Sequence, residues 1–234
     1  MNLYKLEQKK IKWSTYLWAA GGIFLSILAI GILFVFIAQT EEGDELFADW
    51  NGLAALTTAL GYCCFGILSA VMGSKVIVND YCGKIAVVML SYPVGRKEVL
   101  GTKIRLVCLL TVFSACVSHL LTLGGMYAIA RIFQTVPEAA GGYGAIFRMA
   151  LLSGILMGCM AAALGIVSAV AGWIKRSSTA AIICALLLVC ATTNLIAISP
   201  RHLIGIMTAM SVLFAASGIG MYRLLANGIE NMEV

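Results

Sequence analysis

Apolar residues along this chain gather into six long runs, at residues 16–38, 52–74, 106–130, 149–174, 178–199 and 203–222, separated by short polar connections. A helix needs roughly 20 apolar residues to cross about 30 Å of hydrocarbon, and each run meets that length. None alternates with period two, as a membrane strand would. Each is apolar on all sides, the pattern of a helix surrounded by lipid or by other helices. Helices close their backbone hydrogen bonds within the segment, as lipid requires. The pattern therefore predicts an all-α, polytopic membrane protein with six transmembrane helices in a single domain, residues 1–234. The first run is too long for a cleaved leader, and no small-residue cleavage pattern follows it, so it is read as a retained span.

The polar connections add orientation. Lys5, Lys9, Lys10 and Lys12 precede the first run, and the connection after it carries Glu41, Glu42, Asp44, Glu45 and Asp49 with no base. Lys75, Lys84, Arg96, Lys97, Lys103 and Arg105 cluster around the connection between the second and third runs, Lys175 and Arg176 follow the fourth, and Arg223 follows the sixth. With both termini in the cytoplasm, all of the 16 Lys and Arg except Arg131, Arg148 and Arg201 fall on the inner side, as the positive-inside rule demands. The reading is a multi-pass protein of the plasma membrane of a bacterial cell. Only 12% of residues are charged and 61% are hydrophobic, against about 25% charged in soluble domains. The net charge of +5 matches an anionic inner leaflet, and no nucleic-acid partner is expected. Residues 1–15 place lysines beside Leu3, Leu6, Ile11 and Trp13, and are expected to form an amphipathic helix in the headgroup layer, anchored by Trp13 and Trp18.

Residues 79–103 hold more chemistry than any other segment. Asn79-Asp80-Tyr81-Cys82-Gly83-Lys84 leads into a short apolar run, Ile85–Leu90, too short to span and too apolar for a free loop. Tyr92-Pro93 ends it, because a residue before proline is pushed out of helical geometry. A short helix along the cytoplasmic face, roughly 80–91, is expected, of a kind suited to a helix-in-groove contact with another protein. A new helix then restarts at 94–98 and leads into the third span.

Within the spans the candidate chemistry is sparse. Gly154, Gly158, Ala161, Gly165, Ser168 and Gly172 recur at three- and four-residue steps on the fourth run. Such a stripe lets helix backbones approach closely in lipid, and Gly154, Gly158, Gly165 and Gly172 are its packing glycines, within the subunit or at a sliding or subunit surface. His119 is expected as a neutral, hydrogen-bonded packing residue, and Asn194 as a group bonding across helices. No Asp or Glu lies centrally in a span, so a carrier driven by a proton or sodium gradient lacks its usual buried charge. No phosphate-cradling Gly-rich loop ending in Lys-Ser/Thr is present. The eight cysteines show no metal-ligand spacing and read as small apolar filler. Phe24, Phe34, Phe36, Phe65 and Phe113 offer faces for an apolar or amphipathic cargo. No catalytic residue, metal site or bound cofactor is expected.

The order Asp80, Gly83, apolar run, Leu90-x-x-Pro93, Arg96, Val99-Leu100, Lys103 resembles the signature between the second and third spans of the ABC transporter type 2 (ABC-2) permeases. The six spans, inside termini and basic N-terminal segment agree with it along the whole chain. Asp80 stands where that family more often has Glu, and Lys84 where Thr is frequent. The resemblance implies a permease subunit, working as a dimer with a second permease subunit, here as a homodimer. It further implies two ATP-binding cassette ATPase subunits that hold ATP and Mg²⁺, and a coupling helix that docks on them. The docking residues it implies are Asp80, Gly83, Lys84, Val87, Leu90, Pro93 and Arg96. The implied activity is ATP-driven export, with hydrolysis in the separate subunits and membrane lipid around the permease. Without the resemblance, the same short helix would equally suit a non-transporting scaffold or regulator that recruits a cytoplasmic partner.

Overall fold

In a computed structural model of the protein, residues 13–40, 50–82, 96–133, 143–197 and 202–230 are described. Among them are six long helices: α1 (Trp13–Thr40), α2 (Trp50–Gly73), α3 (Arg96–Ile132), α4 (Tyr143–Ile174), α5 (Ser178–Ala197) and α6 (Leu203–Glu230). All six are long and apolar enough to cross a membrane. Several of the helices overrun the apolar runs that predict them. The second continues past Gly73 through a π-helical turn, Ser74–Val78, and a last α-helical turn, Asn79–Cys82. The third begins at Arg96, well before its apolar run. At 1.5 Å per residue, its 37 residues extend about 55 Å, well beyond the hydrocarbon.

The fourth helix occupies the centre of the bundle and packs against α2, α3, α5 and α6, while α1 lies across α2 and α3. Small residues put α4 there. A methyl group on Gly158 would lie 3.0 Å from the Val112 Cα, and one on Gly154 3.4 Å from the Cys116 Cα, so both glycines meet the α3 backbone. Gly165 faces Ser69 of α2, and Gly172 faces Val78 and, across the following turn, Ala181 of α5. The stripe is thus shared out along its length, α3 taking one half and α2 and α5 the other. All four glycines face neighbours within the subunit.

Helix α4 ends in a Schellman motif. Arg176 adopts a left-handed backbone conformation, φ 48°. Its N–H donates to the Trp173 carbonyl at 3.1 Å, and the Ser177 N–H to the Gly172 carbonyl at 2.9 Å. That tight cap sends the chain straight into α5, and Gly172 is required there because a methyl group would lie 2.7 Å from the Ala181 Cβ.

Polar groups tie the middle of the bundle together. The buried His119 Nε2 lies 2.9 Å from Ser153 Oγ of α4 and 3.4 Å from Thr58 Oγ1 of α2. Both hydroxyls already donate to carbonyls of their own helices, Thr58 to Ala54 at 2.6 Å and Ser153 to Met149 at 2.8 Å. A hydroxyl has one proton to give, so both oxygens can accept, and the tautomer protonated at Nε2 fits the close Ser153 contact, with Thr58 the longer of the two. Tyr62 and Thr192 join α2 to α5 at 3.0 Å. This replaces the expected role of Asn194. Asn194 is exposed and its amide donates to the Cys190 carbonyl of its own helix at 3.3 Å, because Thr192, two residues earlier, is the one turned toward α2.

The seven described cysteines are free thiols. At the end of the bundle opposite the π turn, Trp50, Tyr127 and Tyr143 stack edge to face, with Trp50–Tyr127 at 5.6 Å and Tyr127–Tyr143 at 5.0 Å. The Arg131 guanidinium lies 5.6 Å and 5.8 Å from the two tyrosine rings and donates through Nε to Tyr127 Oη at 3.0 Å. Aromatic groups with a wet polar tip belong at a membrane–water boundary.

Candidate functional site

The sequence directs attention to residues 79–103, and the structure describes both ends of that segment. Gly83, Lys84, Val87, Leu90 and Pro93 lie outside the described residues. Arg96 opens α3. Asp80, expected at the start of a separate short helix, lies instead on the last turn of the continuous second helix. The reason is local. Ser74–Val78 follows i→i+5 bonding, with the Asn79 N–H donating to the Ser74 carbonyl. A π turn holds one extra residue, so every side chain after it is rotated by about 100° relative to an uninterrupted α-helix. Asp80 is thereby aimed at α3 rather than away from it.

There it meets Lys103. The Lys103 ammonium is fully buried, and it is ion-paired and hydrogen-bonded to Asp80 Oδ2. It also donates to the Val76 carbonyl within the π turn at 3.5 Å and lies 5.4 Å from the centre of the Tyr81 ring. An isolated buried ammonium is costly to desolvate, and here the Asp80 carboxylate, the Val76 carbonyl and the Tyr81 ring face are among the groups that stand in for water. The neighbours in sequence complete the enclosure. Ile77, Tyr81, Leu100 and Ile104 pack into a cluster with Ala169 and Val170 of α4 and Leu225 and Ala226 of α6. Lys103 is therefore a structural cation at the basic end of the bundle, unlike the exposed lysines around it.

A second polar contact fixes the same turn. Ser178 Oγ, on the first residue of α5, donates to Asn79 Oδ1 at 2.6 Å. The last turn of the second helix is thus held to α3 by Asp80 and to α5 by Asn79. Exposed lysines and arginines surround this end, among them Lys75, Lys97, Arg105, Lys175, Arg176 and Arg223. Among the described residues, no group of three or more His, Cys, Asp or Glu could hold a metal ion.

Sequence reasoning found Asp80 and Lys103 as motif positions but not as partners. They stand 23 positions apart, and the π turn that aligns them leaves no period in the hydrophobic pattern. The Asn79–Ser178 contact spans 99 positions and has no local signal at all.

With this geometry in view, comparison with known proteins decides the class. A family profile described as ABC-2 family transporter protein matches residues 3–193, most of the chain. The protein belongs to the ABC-2 transporter family. It is similar to "Uncharacterized protein YcbO" of Bacillus subtilis (strain 168), at 23% identity over 138 residues, covering 58% of this chain. The match spans 60% of that relative's length. No solved structure matches the chain significantly. Membership of the ABC-2 family and six helices able to span the bilayer make this a multi-pass membrane protein, of a class that associates in general with an ATP-binding cassette partner.

Proposed function

We propose that this ABC-2 protein is the permease subunit of an ATP-driven exporter. It works as a homodimer beneath which two ATP-binding cassette ATPase subunits dock. The basic end of the bundle faces the cytoplasm, with both termini on that side, in the plasma membrane of a bacterial cell. The coupling segment between the second and third helices makes the contact, through Asp80, Gly83, Lys84, Val87, Leu90, Pro93 and Arg96. ATP and Mg²⁺ are bound and turned over in the partner, and this chain is not catalytic by itself.

One observation supports the reading above the others. A family-specific segment is delimited at both ends by a buried ion pair, Asp80–Lys103, where a plain water-facing loop has no reason to hold a desolvated charge. Carried between two long helices whose facing ends are tied by this pair, such a segment is suited to convert movement of a soluble partner into a rigid-body shift of the bundle.

The cargo we propose is hydrophobic or amphipathic: a bacteriocin-like or cytolytic peptide, or a drug-like compound. Phe36 and Phe113 are exposed on the bundle surface and suit such a path. Phe24 and Phe34 are half-buried and Phe65 is fully buried in the core, so Phe65 is withdrawn from the cargo face. It belongs to the main core cluster, alongside Met160 and Leu164 of α4, and its ring is needed to fill that interior.

Affinity purification in mild detergent tests the assignment. A P-loop ATPase is expected with the wild-type chain and is lost with Leu90→Asp or Val87→Asp. Association that survives both substitutions removes the docking segment from the account. ATPase turnover of the complex should rise with amphipathic peptides. Stimulation by a sugar polymer or an ion, with none by peptides, would overturn the cargo class.

A further inference from the structure

The two polar contacts on the last turn of the second helix reach different neighbours, and other contacts join the same helices nearer the middle of the bundle. Helices α2 and α5 are already joined by Tyr62–Thr192, and α2 and α3 by Thr58–His119. At the basic end, however, the second helix leaves its regular α-helical path. The π turn interrupts the i→i+4 ladder at Ser74–Val78, and π turns mark places where a helix is locally less regular and often functional. Beside the apolar packing of Tyr81 on Leu100, Ile104 and their neighbours, Asp80 on Lys103 and Asn79 on Ser178 are polar contacts that hold the Asn79–Cys82 turn beyond that irregular stretch.

From this arrangement we infer that Lys103 and the Asn79–Ser178 pair are positioning residues for coupling. They fasten the last turn of the second helix to Lys103, eight residues into α3, and to Ser178, the first residue of α5, so that the three move as one unit about the π turn. Displacement at the coupling segment is then delivered to α3 and α5 together. The inference rests on the exporter reading given above and extends it to the path of the motion. The two contacts differ in kind. Lys103 is buried, charged and enclosed by Ile77, Tyr81, Leu100 and Ile104, so its link to α3 is strong and slow to open. Asn79–Ser178 is a neutral, exposed contact, so its link to α5 can be removed without leaving a buried charge.

The contacts can be altered separately. Lys103→Arg keeps the cation and its pairing with Asp80, whereas Lys103→Met keeps the length and loses the charge. Ser178→Ala removes the donor to Asn79 while leaving Lys103 untouched. The α5 contact can therefore be cut on its own, and its effect separated from any loss of folding at the ion pair.

The test uses the complete permease with its co-purified ATPase in lipid nanodiscs, followed by hydrogen exchange with and without vanadate-trapped nucleotide. In the wild type, trapping is expected to change exchange in residues 74–82, 96–104 and 178–182 together. In Ser178→Ala, the change in 74–82 and 96–104 persists, and that in 178–182 falls by more than half. In Lys103→Met, the response in 96–104 falls by more than half while the amount of ATPase retained is unchanged, and Lys103→Arg restores the response. An undiminished response of 178–182 in Ser178→Ala overturns the α5 arm. An undiminished response of 96–104 in a folded Lys103→Met protein overturns the α3 arm. Should no ATPase accompany the wild-type chain, the exporter reading itself fails, and the coupling path fails with it, an outcome distinct from either of those two.

Discussion

Lys103 shows how much one side chain can decide in this protein. Replacing it with Met removes its ion pair with Asp80, whose side chain is 13% exposed. Removing one member of a buried ion pair typically costs about 3–5 kcal/mol. Because Asp80 keeps some access to water, the lower end is expected, about 3 kcal/mol, read as lost thermal stability of the purified permease. Asp80→Asn together with Lys103→Met should recover part of that loss, since both charges of the pair are then removed. His119 makes a contrasting case. His119→Ala removes the ring contact shared by Ser153 and Thr58, but both hydroxyls keep their own backbone acceptors, so no polar group is orphaned. The expected cost is about 2 kcal/mol, from the cavity and the lost interhelical bonds. A much larger loss on thermal unfolding would mean that the hydroxyls depend on His119 after all.

At the scale of the element, two features can be tested by small changes. Arg176 sits at the left-handed position of the α4 cap, where glycine is normally used and a side chain is strained by about 1 kcal/mol. Arg176→Gly is expected to stabilise the fold by up to about 1 kcal/mol, less whatever glycine adds to the freedom of the unfolded chain. A fall in melting temperature would show that the Arg176 side chain contributes more than its backbone strain costs. The second feature is the π turn. Lys75 is its exposed residue, while Ser74, Val76, Ile77 and Val78 are buried. Deleting Lys75 removes the extra residue and leaves Asp80 in its present phase on a continuous α-helix. The variant should fold and retain the Asp80–Lys103 pair. If the turn serves as a hinge, the variant should also lose most nucleotide-driven change in exchange at 178–182. Inserting an alanine after Val78 instead should turn Asp80 by about 100° from Lys103 and destabilise the bundle as Lys103→Met does.

At the scale of the molecule, the bundle is organised around α4, and its glycines set how closely the other helices approach. Gly165→Leu would drive a side chain into Ser69 and the α2 backbone and should abolish recovery of a folded, monodisperse protein from the membrane, as size-exclusion chromatography would report. Most of what defines the class at this scale was legible in the chain alone. Six runs of sufficient length, apolar all round, leave helices as the only economical structure in lipid, and the glycine steps on the fourth run mark it for close packing. The order from Asp80 to Lys103 was legible as a family signature, and the family match agrees with it. Other features were not legible. The contacts of Asn79 with Ser178 and Tyr62 with Thr192 depend on which faces of distant helices meet, and Asn194 and Thr192 are chemically equal candidates until α5 is set at one rotation.

The sequence by itself determined the solvent this protein lives in, the number of its spanning helices and the family it belongs to, because each of these depends on local composition and spacing along one helix or one short segment. Only the tertiary structure decided that Lys103 is buried against Asp80, and that the turn carrying Asp80 is fastened to two helices at once. Those outcomes depend on the phase of a π turn and on the meeting of residues 99 positions apart. No local pattern encodes either of them, since the energy that selects them arises only when the helices are packed together.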